Sequence, residues 1–347
     1  MSVWPSRHRV VHWLWWSRDP LARLARTMLL PAGALYRMWM LARAHAYHRG
    51  WARTRPLPLP AVAVGNLSVG GAGKTPLAAW IAAFYARRGV RPGILLRGYG
   101  RDEHLVHQRL VPDAVVVPDP DRLAGAYRAM AAGAGIVVLD DAYQRLDVAR
   151  DLNVAVVNAE GARAVCWPLP AGPWREGWGA LERADVIVVT RRRTTRDDAL
   201  RLAAGLAQRW PGTVVAAAHL GLVELEGLLS GRRQPLDVLA GRRVVAAAGV
   251  ADPASFAAQI RGLGASVQLL AYQDHHPYPE RDVQGLVQAA AEVDYVVVTE
   301  KDAVKLRHRW PAHAPEPLVA VLTVAWEWNG EAVERALAAL TARAGAS

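Results

Sequence analysis

Val62-Ala-Val-Gly-Asn-Leu-Ser-Val-Gly-Gly-Ala-Gly-Lys-Thr-Pro76 is the stretch that decides the fold. It predicts a short apolar strand, a glycine-rich loop and a helix that begins at Lys74. Glycines let backbone N–H groups approach phosphate oxygens, and the N-terminus of the following helix adds the positive end of its dipole. Lys74 can reach the β- and γ-phosphates of a nucleotide, while the Thr75 hydroxyl can ligate Mg²⁺. We therefore predict a nucleotide-binding loop formed by Ser68, Val69, Gly70, Gly71, Ala72, Gly73, Lys74, Thr75 and Pro76.

The glycines of this loop are not placed as in G-x-x-x-x-G-K-[ST], because the first glycine position holds Ser68. Gly70, Gly71 and Gly73 are closer to the G-G-x-G-K-T loop of partitioning ATPases. Those proteins usually carry a second lysine directly before the paired glycines, where this chain has Val69. A chance glycine-rich turn is the alternative interpretation. It is disfavoured because strand, loop, Lys-Thr pair and helix occur in the expected order.

The use of lysine supports the same interpretation. Of the 42 basic residues only Lys74, Lys301 and Lys305 are lysine, which leaves 39 arginines. In a chain with this bias, each lysine is expected to make a specific contact with an anion. A compact charge on a flexible stem reaches a phosphate in a way that a planar guanidinium does not.

The first 55 residues are basic and rich in tryptophan. They contain ten arginines against one acid, Asp19, and six of the 14 tryptophans. Such a segment suits a membrane interface, where indoles lie at the level of the headgroups and arginines meet anionic lipid. Its longest uncharged run, residues 27–36, is too short to span a bilayer, and no signal-peptide pattern is present. We predict an amphipathic, membrane-associated helical segment at residues 1–55; a segment packed on the protein's own core is the alternative.

Composition limits the other classes of partner and compartment. The net charge of +11 would suit nucleic acid, but no recognition motif follows and that surface would not need so many tryptophans. We therefore expect no nucleic-acid partner. The single cysteine, Cys166, excludes a disulfide framework and fits a reducing cytosol. No catalytic motif surrounds it.

Continuous apolar runs alternate with helical segments along the 347 residues. This pattern is typical of an α/β fold, and we predict a P-loop NTPase-type parallel sheet domain followed by a second, smaller α/β domain. The predicted units are residues 1–55 for the membrane segment, 56–215 for the nucleotide-binding domain, 216–239 for a linker strand region, 240–315 for the smaller domain and 316–347 for a returning linker strand and C-terminal helix.

Two acids follow a fully apolar strand at Gly135-Ile-Val-Val-Leu-Asp-Asp141. A hydrophobic strand that delivers carboxylates beside a phosphate-binding loop is the Walker B arrangement, in which one acid orients Mg²⁺ or its water. We therefore predict that Thr75, Asp140 and Asp141 hold the metal. The alternative is a pair of acids that cap a helix.

A second polar group, Asp274-His275-His276, follows a predicted strand in the later part of the chain. Adjacent histidines point apart, so they make a poor metal site. A histidine working with a carboxylate can instead deprotonate a hydroxyl, because its pKa lies near working pH. A polar loop without chemistry is the alternative. We interpret Arg191-Arg-Arg193 as a solvated loop.

In their order along the chain, these motifs resemble those of the tetraacyldisaccharide 4'-kinases, which are membrane-associated kinases of lipid A synthesis. The resemblance spans residues 55–307 and rests on Val64-Gly-Asn-Leu-Ser-Val-Gly-Gly-Ala-Gly-Lys-Thr-Pro76, Leu96-Arg-Gly-Tyr-Gly-Arg101, Asp140-Asp-Ala-Tyr-Gln144 with Arg150-Asp151, Pro173-Trp-Arg-Glu176, Asp274-His-His-Pro-Tyr278 and Thr299-Glu-Lys-Asp-Ala-Val-Lys-Leu306. It implies phosphorylation of the 4'-hydroxyl of a tetraacyldisaccharide 1-phosphate, with ATP and Mg²⁺, to give lipid IVA. It also implies two α/β domains joined by a two-stranded linker, with the active site between them.

The resemblance further implies where the protein works and with what. We expect a peripheral protein on the cytoplasmic face of the inner membrane, held to anionic lipid through residues 1–55. Its substrate partner would be an acylated disaccharide 1-phosphate lipid. We expect a monomer.

The chain departs from the family pattern at two places. The family's Asp–His dyad maps to His275 and to an Asp in a Gly-Asp-Glu-Pro motif that is missing here; Arg101-Asp-Glu-His104 is the nearest match, which makes Asp102 the candidate base. The family also usually reads Asp-Asp-Gly-x-Gln-His, where this chain has Ala142 and Arg145. The second change removes a titratable group near the nucleotide.

The expected roles follow from these assignments. Lys74 and the loop amides would stabilise phosphate charge, and Asp102 with His275 would accept the proton of the sugar hydroxyl. Further substrate contacts are expected from Arg175, Glu176 and Lys301. Two alternatives stay open at this point: a membrane-recruited P-loop switch ATPase, and a catalytically impaired pseudokinase.

Overall fold

Helices and strands alternate along most of the chain in the computed structural model, which describes residues 6–98, 102–162 and 165–344. The strands are β1 Ala61–Asn66, β2 Pro92–Leu96, β3 Val115–Pro118, β4 Ile136–Leu139, β5 Leu152–Asn158, β6 Val186–Arg191, β7 Val214–Gly227, β8 Arg233–Gln234, β9 Arg243–Ala248, β10 Ser266–Ala271, β11 Tyr295–Thr299 and β12 Leu318–Trp328. The α-helices are α1 Ser6–Trp16, α2 Pro20–Met28, α3 Leu30–His48, α4 Lys74–Ala86, α5 Glu103–Leu110, α6 Arg122–Ala131, α7 Ala159–Ala162, α8 Arg196–Arg209, α9 Pro253–Gly262, α10 Glu280–Glu292, α11 Glu300–Leu306 and α12 Gly330–Ala344. Short 3₁₀ helices cover Trp178–Arg183 and Leu236–Leu239.

The strands form one mixed sheet in the order β10-β9-β11-β12-β7-β6-β5-β1-β4-β2-β3, with β8 paired to β7. In the first half, β1 lies between β4 and β5 and is parallel to both. Parallel neighbours end at the same edge of a sheet, so the loop after β1 and the acids after β4 are brought together. The predicted α/β class with a P-loop-type parallel sheet is therefore confirmed.

The second half of the sheet joins the first through a long antiparallel pair. β9, β10 and β11 are mutually parallel, and β11 is parallel to β12. β12 then runs antiparallel to the 14-residue β7. These two strands contain the stretches that the sequence predicts as connecting strands. Hydrogen bonding is continuous between the two sets of parallel strands.

The core of the first half lies on both faces of the sheet. On one face α4 covers β1 and α12 packs against β7, and the Tyr85 hydroxyl donates to the Leu337 carbonyl at 3.0 Å. Seven residues of α4 are buried, which explains why its sequence is apolar on nearly every side. Small side chains on the opposite face, such as Ala199 and Ala203 of α8, pack against β5 and β6. This packing holds the N-terminus of α4 at the edge where the strands end.

The N-terminal helices pack on the rest of the protein with part of their surface. Ala22 and Met40 are buried, the Trp15 indole donates to the Pro170 carbonyl at 3.0 Å, and Arg43 donates to the Gln144 carbonyl at 2.9 Å. Much of their apolar surface remains exposed, at Val10, Val11, Trp16, Leu21, Leu24, Met28, Leu35, Met38, Trp39 and Leu41. Over the described residues, every helix is too short or too polar to cross a bilayer.

Candidate active site

The glycine-rich loop connects β1 to α4 and adopts a backbone that only glycine tolerates well. Gly70 and Gly73 have φ values of +123° and +88°, in the region that L side chains rarely adopt. A Cβ on Gly73 would also lie 2.2 Å from Leu220 Cδ1. The Val69 N–H donates to the Pro173 carbonyl at 2.7 Å, which ties the loop to the segment before Arg175. The conformation of the loop is thus fixed by its glycines and by its contact with the segment before Arg175.

The first residues of α4 face the two acids that follow β4. The Thr75 hydroxyl donates to Asp140 Oδ2 at 3.2 Å, and Lys74 Nζ lies 3.6 Å from Asp141 Oδ1. Burial raises the pKa of Asp140, but the hydrogen bond from His107 and the nearby cations outweigh it, so the pKa lies below its ordinary value and the group is ionised. Asp140 Oδ1 is buried without a hydrogen-bond partner among the described residues.

This arrangement fits a magnesium ion bound together with nucleotide phosphates. Mg²⁺ prefers oxygen ligands and usually binds through one or two carboxylates, waters and substrate phosphates. Thr75 supplies a hydroxyl, and Asp140 supplies a carboxylate whose Oδ1 accepts no hydrogen bond from the described residues. Asp141 adds a second carboxylate. In the described part of the chain, no three His, Cys, Asp or Glu side chains converge as a ready-made metal site.

His107 is a member of this site that the sequence did not reveal. It lies on α5, is fully buried, and its Nε2 is 3.0 Å from Asp140 Oδ2. Arg122 lies behind the same residue, where its Nη2 donates to the Asp140 carbonyl at 3.3 Å; burial lowers the pKa of Arg122 to about 10. The sequence offered only a histidine next to Val106 in a segment of mixed polar and apolar residues, and that pattern does not identify the residue that the histidine contacts.

Arg175 and Glu176 occupy different surroundings although they are adjacent. Arg175 Nη1 donates to Asp141 Oδ1 at 3.0 Å and competes there with Lys74. Glu176 is nearly buried and forms an ion pair with Arg183 at 2.9 Å. Its other contact is a hydrogen bond at 3.0 Å from the Gln144 side chain. Arg175 therefore lies beside the phosphate site, while Glu176 is held within the protein.

Asp102 and His275 come together although 173 positions separate them. His275 Nδ1 lies 2.8 Å from Asp102 Oδ1, and Lys305 Nζ lies 3.1 Å from Asp102 Oδ2. Burial opposes ionisation of Asp102, but these two partners hold its pKa well below the ordinary range. The hydrogen bond to Asp102 raises the pKa of His275, which is about 40% exposed in its side chain. An ionised carboxylate only accepts, so Nδ1 carries the proton and Nε2 is the unprotonated nitrogen of the neutral ring, 4.0 Å from Glu103 Oε1 and 3.8 Å from Asp274 Oδ1.

The neighbouring His276 has a structural role. Its Nε2 lies 2.6 Å from Asp282 Oδ2, and its ring stacks on Tyr272 at 4.8 Å between centroids. His275, in contrast, has a left-handed backbone with φ of +61°, which turns its ring away. Lys301 lies on the same side as His275, 3.7 Å from Asp274. Of the adjacent histidines, only His275 is therefore available for chemistry.

The two residues that differ from the Asp-Asp-Gly-x-Gln-His pattern, Ala142 and Arg145, do not contact the phosphate-binding loop through their side chains. Ala142 is fully buried, and its N–H donates to the Val64 carbonyl at 2.9 Å. Arg145 forms a bidentate pair with Asp147 at 2.9 Å and does not contact the acids after β4. The imidazole beside Asp140 is therefore supplied by α5. Of the motif Leu96–Arg101, the positions 99–101 lie outside the described residues.

The arginine run at the end of β6 is solvated only at Arg193, so the prediction of a solvated loop was wrong for Arg191 and Arg192. Arg191 forms an ion pair with Glu327, and Arg192 Nη1 donates to the Gly71 carbonyl at 2.6 Å. Burial lowers the pKa of Arg192. Sequence alone missed these contacts because both partners lie more than a hundred positions away.

Known proteins are similar to this chain over most of its length. A family model described as Tetraacyldisaccharide-1-P 4'-kinase matches residues 25–342. The tetraacyldisaccharide 4'-kinase of Anaeromyxobacter dehalogenans strain 2CP-C is 36% identical, over 94% of this chain and 94% of that protein. That of Chlorobaculum parvum is 34% identical, over 81% of this chain and 84% of the relative. The crystal structure of LpxK from Aquifex aeolicus in complex with ATP matches with a TM-score of 0.71 and 25% identity, over 91% of this chain and 99% of that one.

Proposed function

This chain belongs to the tetraacyldisaccharide-1-P 4'-kinase family, and on that premise we propose how its own residues carry out the reaction. The activity is ATP-dependent phosphorylation of a tetraacyldisaccharide 1-phosphate at its 4'-hydroxyl, in lipid A biosynthesis. The observation that carries the proposal is the Asp102–His275 pair at 2.8 Å, set in a fold whose P-loop and paired acids lie at the same sheet edge. The switch-ATPase and pseudokinase alternatives are not favoured, because the relatives matched over nearly the whole chain are kinases.

The phosphate side of the reaction is assigned to the loop between β1 and α4. Backbone N–H groups of Gly70, Gly71 and Gly73 and the Lys74 ammonium stabilise charge on the transferred phosphoryl group, whereas the N–H groups of Val69 and Ala72 donate to the Pro173 and Gly70 carbonyls. Thr75 and Asp140 hold Mg²⁺, with Asp141 close by, and the ion neutralises charge on the phosphates when bound. Asp141 is paired with Lys74 and Arg175 in this structure. We propose that, when ATP binds, its phosphates replace Asp141 as the partner of Lys74 and of Arg175.

The acceptor side is assigned to the Asp102–His275 pair. Both oxygens of Asp102 are engaged, and its low pKa makes it a weak proton acceptor. His275 Nε2 is the better placed base, and Asp102 orients the ring and stabilises the cation that forms. Lys301 beside it is positioned for a phosphate of the acceptor. Glu176 is assigned an indirect role, through Gln144 and Arg183.

The direct test uses purified protein in detergent with γ-labelled ATP, Mg²⁺ and tetraacyldisaccharide 1-phosphate. Label in the lipid that requires both nucleotide and metal would support the proposal. ATP hydrolysis without any labelled lipid would contradict it and would favour a switch ATPase. Failure to bind Mg-ATP would favour a pseudokinase.

The pH dependence of the reaction provides a separate prediction. The pKa of His275 lies above its ordinary value of 6.5 because of the bond to Asp102, and the base must be neutral to accept a proton. Activity is therefore present above the raised pKa and lost as pH falls through it. We expect kcat/KM to rise with unit slope around a midpoint above 6.5. In Asp102→Asn the residual activity should have its midpoint at lower pH, and an unchanged midpoint would exclude His275 as the titrating base.

The exposed apolar surface of the N-terminal helices supports a peripheral membrane location. Leu21, Leu24 and Met28 of α2 are 52–71% exposed and recur at the spacing of one helical face. Leu35 and Met38 continue this surface on α3. We propose that these side chains enter the lipid interface on the cytoplasmic side of the inner membrane, while arginines of the segment meet anionic headgroups. The enzyme would then meet its acylated substrate in the membrane plane.

Charges placed on this face should release the protein from lipid. We expect the double variant Leu21→Glu, Leu24→Glu to bind phosphatidylglycerol vesicles about tenfold or more weakly than the wild type. The reason is that two apolar side chains that would be buried in the lipid are replaced by charged ones. Co-sedimentation measures the effect. Met130→Glu, at an exposed apolar position on α6, is the matched control and should bind as the wild type does. Equal binding by all three proteins would place the membrane contact elsewhere.

A further inference from the structure

Two buried side chains at the start of α5 and within it contact different parts of the proposed active site. Asp102 occupies the position directly before α5 and contacts His275, and His107 lies five residues later, with its ring 3.0 Å from Asp140. His107 is fully buried, whereas histidine is generally intermediate in burial in folded proteins. The reaction as described so far makes no use of it. Its Nδ1 is buried without a hydrogen-bond partner in the described part of the chain.

The direction of the hydrogen bond follows from the partner. Asp140 is ionised and accepts only, so the imidazole Nε2–H donates to Asp140 Oδ2. Oδ2 also accepts from the Thr75 hydroxyl at 3.2 Å, which leaves the lone pairs of that hydroxyl free. The second oxygen, Oδ1, has no hydrogen-bond partner among the described residues. Two donors thus hold one oxygen of the carboxylate and leave the other available.

We infer that His107 is a positioning residue that orients the Asp140 carboxylate, so that Oδ1 is presented to the Mg-nucleotide. The inference deepens the proposed function and depends on Asp140 being a metal-holding acid. Carboxylates that ligate metals are commonly fixed by hydrogen bonds of this kind, and loss of such a partner typically costs about 10–100-fold in metal affinity or activity. Arg145, which is paired with Asp147, does not supply this contact.

The position of His107 also links the two halves of the site. α5 packs against α11, where Lys305 contacts Asp102, and Glu103 of α5 lies close enough to Asp140 for the charges to interact. A shift of α5 would therefore move Asp102 and the partner of Asp140 together. The same helix orients the proton acceptor and the metal-holding acid.

The test compares two substitutions at His107. His107→Leu keeps an apolar side chain of similar size but removes the donor, whereas His107→Gln retains an N–H donor at a similar reach. We expect His107→Leu to lower kcat about 10–100-fold and to raise the Mg²⁺ concentration for half-maximal rate, with little change in KM for the lipid. His107→Gln should recover most of both. Gln108→Leu, exposed on the same helix, is the matched control and should behave as the wild type does.

A binding measurement makes the inference independent of turnover. The affinity of each variant for a fluorescent ATP analogue is measured once with Mg²⁺ and once with EDTA. In EDTA, His107→Leu should bind the analogue as tightly as the wild type does. The increase in affinity that Mg²⁺ produces should be smaller in His107→Leu by about tenfold or more. Equal Mg²⁺ dependence in His107→Leu and wild type would overturn the inference. So would equal losses in His107→Leu and His107→Gln with lowered thermal stability, which indicate a packing role. If the wild type itself phosphorylates no lipid, the proposed function fails, while the Mg²⁺-binding comparison still decides the role of His107.

Discussion

Asp102→Asn is expected to lower kcat by about 10²–10⁴-fold, which is the range for loss of a positioned acid–base group. The amide cannot hold the His275 tautomer that leaves Nε2 free, nor stabilise the imidazolium. His275→Gln should lose a similar factor. Because the two residues act as one unit, the double variant should be little worse than either single one. ATP binding should be unchanged, since neither side chain contacts the phosphate loop.

The measurement is transfer of labelled phosphate to the lipid at saturating Mg-ATP, beside nucleotide affinity for each variant. His276→Gln is the matched control, because His276 is the adjacent histidine and is engaged with Asp282 and Tyr272. It should lower thermal stability but leave kcat within a few-fold of wild type. Lipid labelling at the wild-type rate in His275→Gln would move the proton acceptor to another group, and the same result in Asp102→Asn would show that Asp102 does not orient the base. A loss in His276→Gln as large as that in His275→Gln would show that the whole loop, and not one ring, is required.

Lys74→Met should be equally damaging on the phosphate side. Removal of one preorganised donor to developing charge typically costs about 10²–10³-fold in kcat, and Lys74 also balances the charge of Asp141. We expect a fall of at least that size, with weaker binding of Mg-ATP. Lys74→Arg should not restore activity, because the planar guanidinium is larger and cannot replace a compact ammonium at the end of the loop.

Arg87→Met is the matched control for Lys74→Met, because it removes an exposed cation from the C-terminal end of the same helix. Its rate and nucleotide affinity should equal those of the wild type. Labelling of the lipid by Lys74→Arg within threefold of wild type would contradict the argument, and would show that any cation at this position suffices. In that case the scarcity of lysine in the chain would have no functional meaning at position 74.

The features that sequence predicted well are local ones. The strand, loop and helix around Lys74 and the apolar strand before Asp140 all depend on neighbours within a few positions. Glycines at positive φ and continuous apolar runs leave few alternative conformations. The resemblance to a known family added the pairing of Asp102 with His275, which the structure places within hydrogen-bond distance.

The features that sequence missed depend on packing between distant segments. His107 and Arg192 contact residues 33 and 121 positions away, and neither lies in a motif that names its partner. Arg145 occupies a motif position yet binds Asp147 instead. A polar side chain can form hydrogen bonds of similar free energy with several partners. The partner that it contacts is therefore determined by the tertiary packing of α5 and of the end of β6.

The amino-acid sequence by itself determined a parallel α/β protein with a phosphate-binding loop at Lys74 and acids at the end of the neighbouring strand. These follow from backbone preferences and apolar periodicity, which act over a few residues. Only the tertiary structure decided that Lys74 and Arg175 share Asp141 and that His107 holds Asp140. Those contacts join segments brought together by burial of the sheet faces, and burial is non-directional, so it does not identify side-chain partners in advance.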